Sequence, residues 1–372
     1  MAPATTSNST TAQTSPSDTA ERIREDQWHL EYLNIAEAHR VSLGEGVTVA
    51  VPDTGVSPHP DLRNNLLEGF DLIPGGDTNG QQDNNSHGTG MAGLIAAHGR
   101  QDGVGALGVA PKAEILPIRV FNSNKQGDTD LLAESIERSV SAGADVINIS
   151  GGGGVSARLL QAIDAANFAN TIIVAAAGNR PDDGQVLWPA AGRSVIAVGG
   201  IGRNGSYSSV SVAGPQIDLV APAVDIYSTS YGDAYSKGTG TSGAAAIVAG
   251  AAALIRAKYP YLPADEVAHR LTATAIDKGP PGRDDQYGYG VIDLVAALTA
   301  DVPPRGFESA PAAEPGDGGP TTAADGPRGD EDRAATVRGL VTLGVLLAAG
   351  GAWALVLRRR RRSGDPPPRV SR

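Results

Sequence analysis

Five short, almost continuously apolar runs constrain this chain more than any other feature: VTVAV (Val47–Val51), EILPIRVF (Glu114–Phe121), ADVINIS (Ala144–Ser150), TIIVAAAG (Thr171–Gly178) and SVIAVGG (Ser194–Gly200). A strand with one wet face alternates polar and apolar residues, whereas these runs read as strands covered on both faces. Between them, LLAESIERSVSAG and LLQAIDAANFAN carry apolar residues at helical spacing. This β-α-β rhythm predicts an α/β fold, a mostly parallel sheet with helices on both faces. Ligands of such sheets sit beyond the carboxyl ends of the strands, so the chemistry is expected there.

Three short sequences stand at such ends. In VPDTGV, Asp53 leaves the first strand into a glycine turn; in HGTGMAGLIAA, His87 opens a helix of small apolar residues. In GTGTSGAAAIVAGAAALI, Ser242 begins a helix that is apolar on every face and hence buried. Singly, each has a plain reading as a turn former, an incidental helix-start histidine and an N-cap. Together they supply what acyl transfer needs. A hydroxyl is a poor nucleophile until an imidazole takes its proton, and the imidazole must be held in one tautomer by a carboxylate. The oxyanion of the intermediate also needs fixed donors, and Asn179, just past the TIIVAAAG strand, can offer a side-chain amide. The 372 residues include no cysteine, which excludes disulfides, thiolate nucleophiles and thiolate metal sites.

Around these residues lie SPHPDL, GALGVAPKAEILPIRVF, ADVINISGGG, VLWPAAGRSVIAVGGI, GPQIDLVAPAVDIYST and YGYGVIDLVAAL, in order along Gln27 to Leu298. On these motifs the body resembles the subtilisin-like (subtilase) serine proteases. The resemblance implies Asp53 as the orienting carboxylate, His87 as general base and then acid, and Ser242 as nucleophile. Asn179 and the Ser242 backbone N–H are implied as oxyanion donors. Ser150, Gly151 and Gly152 are expected to receive an extended peptide as an added strand. Ala176, Ala177 and Gly178 are expected to line the pocket for the residue before the cut. Two departures from the family pattern stand out: GTSGAAAIVAG lacks the usual proline, and His87 is followed by GTG instead of GTH. Neither removes a catalytic atom. No resident cofactor or metal is expected, since His29, His39, His59, His98 and His269 show no HExxH-type spacing. Calcium stays open at Gln27 and Asp61, which stand where ligands occur in some family members.

The flanks differ sharply from the body at 25–300. The leader, 1–24, is rich in Thr, Ser and Ala, is expected to be disordered, and has no apolar signal-peptide core. Residues 301–338 hold six Pro, six Gly and eight carboxylates, the composition of a solvated linker. Leu340–Leu357 then runs 18 residues without a charge, about 27 Å as a helix, and Arg358 to Arg362 follow at once. A transmembrane helix is expected at 339–357 with a basic cytoplasmic tail at 358–372, placing the body outside the cell membrane. The overall charge of −11 thus splits into 23 basic against 40 acidic residues before Leu340, and +6 after it. Such an acidic body argues against a nucleic-acid partner; the arginine run reads as a topology anchor beside anionic lipid. Short leader, Pro-rich linker, single C-terminal span and basic tail resemble the mycosins, subtilases associated with type VII secretion. Those usually carry a signal peptide, and often cysteines. Two functions follow as expectations: a membrane-anchored serine endopeptidase acting on a polypeptide substrate, or a scaffold subunit of a secretion complex in which proteolysis is secondary.

Overall fold

The computed structural model of the chain describes residues 16–76, 79–122 and 128–305. The chain divides into units Met1–Ser309 and Ala310–Arg372. The expected membrane span, the basic tail, residues 1–15 and nearly all of the linker therefore lie outside the described residues. Among the described residues no helix is long and apolar enough to cross a membrane.

Each of the five apolar runs forms a strand: β1 Thr48–Asp53, β3 Glu114–Arg119, β4 Val146–Ile149, β5 Ile172–Ala176 and β6 Val195–Ile201. Two shorter strands, β2 Phe70–Asp71 and β7 Leu219–Pro222, complete a sheet in the order β2-β3-β1-β4-β5-β6-β7, every pairing parallel. Alternate residues of one strand serve opposite cores: Val49 and Val51 face one, and Ala50 the other. This two-sided burial is why the runs show no polar alternation.

The helices are α1 Pro16–Asp26, α2 Trp28–Tyr32, α3 Ile35–Ala38, α4 His87–Ala96, α5 Thr129–Ser141, α6 Ala157–Phe168, α7 Thr241–Lys258, α8 Ala264–Ala273 and α9 Leu294–Thr299. α4 and α7 pack on one face of the sheet, α5 and α6 on the other. An antiparallel hairpin, β8 Ile226–Thr229 with β9 Tyr235–Gly238, lies beside α4. Every residue of α7 from Gly243 to Arg256 is buried, as its all-round apolar sequence requires.

Both ends of the ordered body extend past the expected limits. α1 starts at Pro16, inside the stretch read as disordered, because Ala20 and Ile23 lie three apart on one face and are each 2% exposed. Burying Ile23 contributes about 2 kcal/mol. Backbone and side chain then fasten this helix, through Gly105 N–H to Ala20 O at 2.9 Å and Arg24 Nε to Gly105 O at 3.0 Å. At the other end, the chain beyond residue 300 runs over α8, where Pro303 O meets His269 Nε2 and Arg305 N–H donates to Glu266.

Candidate active site

β1 is flanked by β3 on one side and β4 on the other, so the crossovers leave it in opposite directions and open a crevice at its carboxyl end. Asp53 is the last residue of β1 and fully buried. Its Oδ1 accepts from His87 Nδ1 at 2.7 Å and from the Thr54 N–H at 2.7 Å, while its Oδ2 is buried without a partner among the described residues. Much of the carboxylate charge therefore faces the imidazole. Burial opposes charging of His87, but Asp53 in contact and Asp83 nearby outweigh it and raise the His87 pKa above its ordinary value.

His87 is the first residue of α4, following Ser86 in a left-handed conformation (φ 79°). Asp83, a residue the sequence reading passed over, holds this turn. Its Oδ1 accepts from Thr54 Oγ1, Asn85 N–H and Ser86 N–H, and its Oδ2 from Thr89 N–H and Thr89 Oγ1 at 2.6 Å. One buried carboxylate thus gathers donors at the start of α4, where the helix dipole also favours negative charge. The available signal was an Asp four residues ahead of the His in DNNSH. The glycine after His87 has a local cause: a Cβ on Gly88 would stand 2.1 Å from Gly55 O, so the helix start can meet the Asp53 turn only without a side chain there.

Ser242 is the second residue of α7, where backbone N–H groups lack intrahelical acceptors. Asn179 lies past β5, and its Oδ1 accepts from Thr241 N–H at 2.8 Å. That bond orients the amide and leaves Nδ2 as a donor with no partner among the described residues. His87, Ser242, Asn179, Ser150, Gly151, Gly152, Ala176 and Gly178 all line one cavity of about 730 Å³. Beside it, the backbone groups of Gly151 and Gly152 make no hydrogen bond to described residues, an edge open to strand addition.

One expectation needs correcting, and one contact was not anticipated. Ala177 does not line the cavity: it is fully buried in the opposite core, with N–H to Val198 O and its carbonyl accepting from Leu187 N–H. Period-two alternation points 176 and 178 at the cleft and 177 away. The hydroxyl of Ser242 donates to Ser150 O at 2.8 Å, not to His87. A backbone carbonyl is a strong acceptor, and it competes with the imidazole for the one hydroxyl proton.

Gln27 and Asp61 do not fit a calcium site. Asp61 is fully buried and accepts from Arg100 Nε at 2.6 Å, Ala106 N–H at 2.7 Å and Tyr235 OH at 2.6 Å. Gln27 Oε1 accepts from Leu107 N–H. A guanidinium and neutral donors already satisfy these oxygens, and no other cluster of three His, Asp or Glu suited to a metal occurs among the described residues.

A parallel α/β sheet whose crevice gathers Asp53, His87, Ser242 and Asn179 beside an open peptide edge defines a class, that of the serine endopeptidases. The chain belongs to the subtilase family, whose model matches residues 44–290. It is 38% identical over 272 residues to Subtilisin Savinase of Lederbergia lenta, covering 73% of this chain and 97% of that one. It is equally 38% identical over 267 residues to a thermostable alkaline protease of Halalkalibacterium halodurans, 71% of each chain. Among solved structures it is similar to MycP1 from Mycobacterium smegmatis (TM-score 0.66, 32% identity, 74% of this chain and 85% of that). It is also similar to the MycP3 protease from the type VII (ESX-3) secretion system (TM-score 0.65, 34% identity, 78% of this chain and 90% of that).

Proposed function

We propose that this subtilase cleaves polypeptides through an acyl-enzyme formed on Ser242. The convergence of the Asp53–His87 pair and Ser242 on one cavity, beside the edge at Gly151–Gly152 that is unpaired among the described residues, carries the reading. As substrate enters, the Ser242 hydroxyl turns by one staggered step from Ser150 O toward His87 Nε2. The imidazole takes its proton while Oγ attacks the scissile carbonyl, and Asp53 stabilises the imidazolium that results. Asn179 Nδ2 and the Ser242 backbone N–H receive the oxyanion. His87 then protonates the leaving amine, and water repeats the sequence to release the acyl group.

Replacing Ser242 by Ala is expected to lower kcat by about six orders of magnitude, measured on a casein or quenched-peptide substrate. Undiminished turnover in the purified variant would exclude Ser242 as the nucleophile.

The likeness to mycosin structures and the apolar span at 340–357 support a second part of the proposal: a single-pass anchor, an extracellular catalytic unit, and work beside type VII secretion components. Because the chain has no native cysteine, Ser309→Cys supplies a unique label site. An impermeant maleimide should modify it in intact cells, and protection there would refute the outward placement. In a deletion strain, full rescue of secretion by Ser242→Ala would favour the scaffold role over proteolysis.

A further inference from the structure

Three backbone segments frame one slot in the cavity. β4 and β5 pair in register as far as Ile149 opposite Ala175, and their continuations, 150–152 and 176–178, form the two walls. Leu187, which lines the same cavity and meets both walls, serves as its floor. Leu187 N–H donates to Ala177 O at 3.0 Å, and Trp188 exchanges two bonds with Gly153, at 2.9 and 3.2 Å. This floor is thus tied to one wall and to the continuation of the other.

The walls begin at the atoms assigned to the reaction. Ser150 O holds the Ser242 hydroxyl, and Gly178 immediately precedes Asn179. On the family resemblance, the residue whose carbonyl is attacked has its side chain directed into this slot. Leu187 reaches into it from the floor. A Cβ on Gly152 would meet Leu187 Cβ at 3.0 Å, and a Cβ on Gly178 would meet Leu187 Cγ at 3.2 Å. One half-buried leucine thus reaches both walls. Both walls carry a glycine where they meet it. Next to it, Asp183 accepts from the Asn179 N–H at 2.7 Å, and its Oδ2 lies 3.1 Å from the Gly178 Cβ position.

We infer that the slot admits only a small, non-acidic side chain before the scissile bond, such as Ala, Gly or Ser, and that Leu187 sets the limit. The inference rests on the proposed role of Ser242. An aromatic or long aliphatic side chain would have to displace Leu187, and a carboxylate would be placed against Asp183.

The test uses the purified full chain and quenched peptides that differ only at the residue before the cut: Ala, Leu, Phe and Asp. kcat/KM should favour Ala over Phe by about 100-fold, the scale at which a pocket rejects an oversized apolar group. In Leu187→Ala the preference should fall at least tenfold, through gain on Phe and Leu with Ala changed less than about threefold. Wild-type protein that prefers Phe or Leu would overturn the inference even if the variant failed to fold, as would a folded variant with an unchanged ratio. Labelling by a fluorophosphonate separates the two readings. Labelled protein with no preference for small residues defeats the slot alone; absence of both labelling and cleavage of every peptide defeats the hydrolytic role and the slot with it.

Discussion

Asp83→Asn offers the sharpest check on how the fold supports the site. The carboxylate is 3% exposed and takes three donors on Oδ1 and two on Oδ2, all at or near the start of α4. An asparagine must turn its amide nitrogen toward one of these sets. With oxygen kept on the larger set, the nitrogen faces the Thr89 N–H, and that donor is left buried without an acceptor. The Thr89 hydroxyl can reverse and accept from that nitrogen, so the loss is one hydrogen bond to a charged group together with a buried, unsatisfied N–H, a destabilisation of about 3 kcal/mol. In a body of this size that lowers Tm by roughly 6 to 12 °C, readable by calorimetry.

The kinetic consequence has a definite sign. Burial lowers the His87 pKa, Asp53 and Asp83 raise it, and the net shift is upward. Turnover needs the neutral imidazole, so kcat/KM climbs with pH through this raised value. Removing the Asp83 charge must move the acid limb toward lower pH. The pH profile of kcat/KM measured well below the variant's Tm tests this apart from stability. An acid limb that stays in place or moves up, or an unchanged Tm, would refute the assignment of Asp83 as the positioning residue for His87.

Asn179→Ala should reduce kcat by about two to three orders of magnitude with little change in KM, since the amide acts on charge that develops only in the transition state; a KM effect alone would contradict this. His29 is fully buried, with both ring nitrogens unpartnered among the described residues and burial lowering its pKa to about 3. The unfolded chain takes up that proton near pH 6.5, so stability is intact above this value and is lost as pH falls toward 3, about 2 kcal/mol between pH 6.5 and 5. His29→Leu should flatten that part of the stability profile in urea melts. Because Arg100 occupies Asp61, wild-type Tm should not respond to EDTA or calcium, whereas Arg100→Met should cost about 2 kcal/mol by removing a charged hydrogen-bond partner of buried Asp61, which keeps Ala106 N–H and Tyr235 OH; a calcium-dependent rise in Tm would overturn that account.

The strands and the chemistry were legible in sequence for physical reasons. A strand buried on both faces has to be apolar throughout, so β1, β3, β4, β5 and β6 announced themselves, and α7 did so by being apolar on every side. Asp53, His87 and Ser242 stood out because hydroxyl activation needs those residue types, and a parallel sheet can place them only at strand ends. The rest depends on partners distant in the chain. Asp83 matters because α4 and the Thr54 turn bring five donors to it, and Leu187 because its backbone joins Ala177 while its side chain reaches the wall at Gly152. The pairing of Asp61 with Arg100, the inward turn of Ala177 and the bond from Ser242 to Ser150 O are likewise contacts between segments far apart in sequence or set by the sheet's alternation. Sequence by itself determined which chemistry this chain can perform, because reactivity belongs to residue types; tertiary structure alone decided how the reactive groups are held and which side chains line the cleft beside them, because packing across segments sets distances that no local pattern encodes.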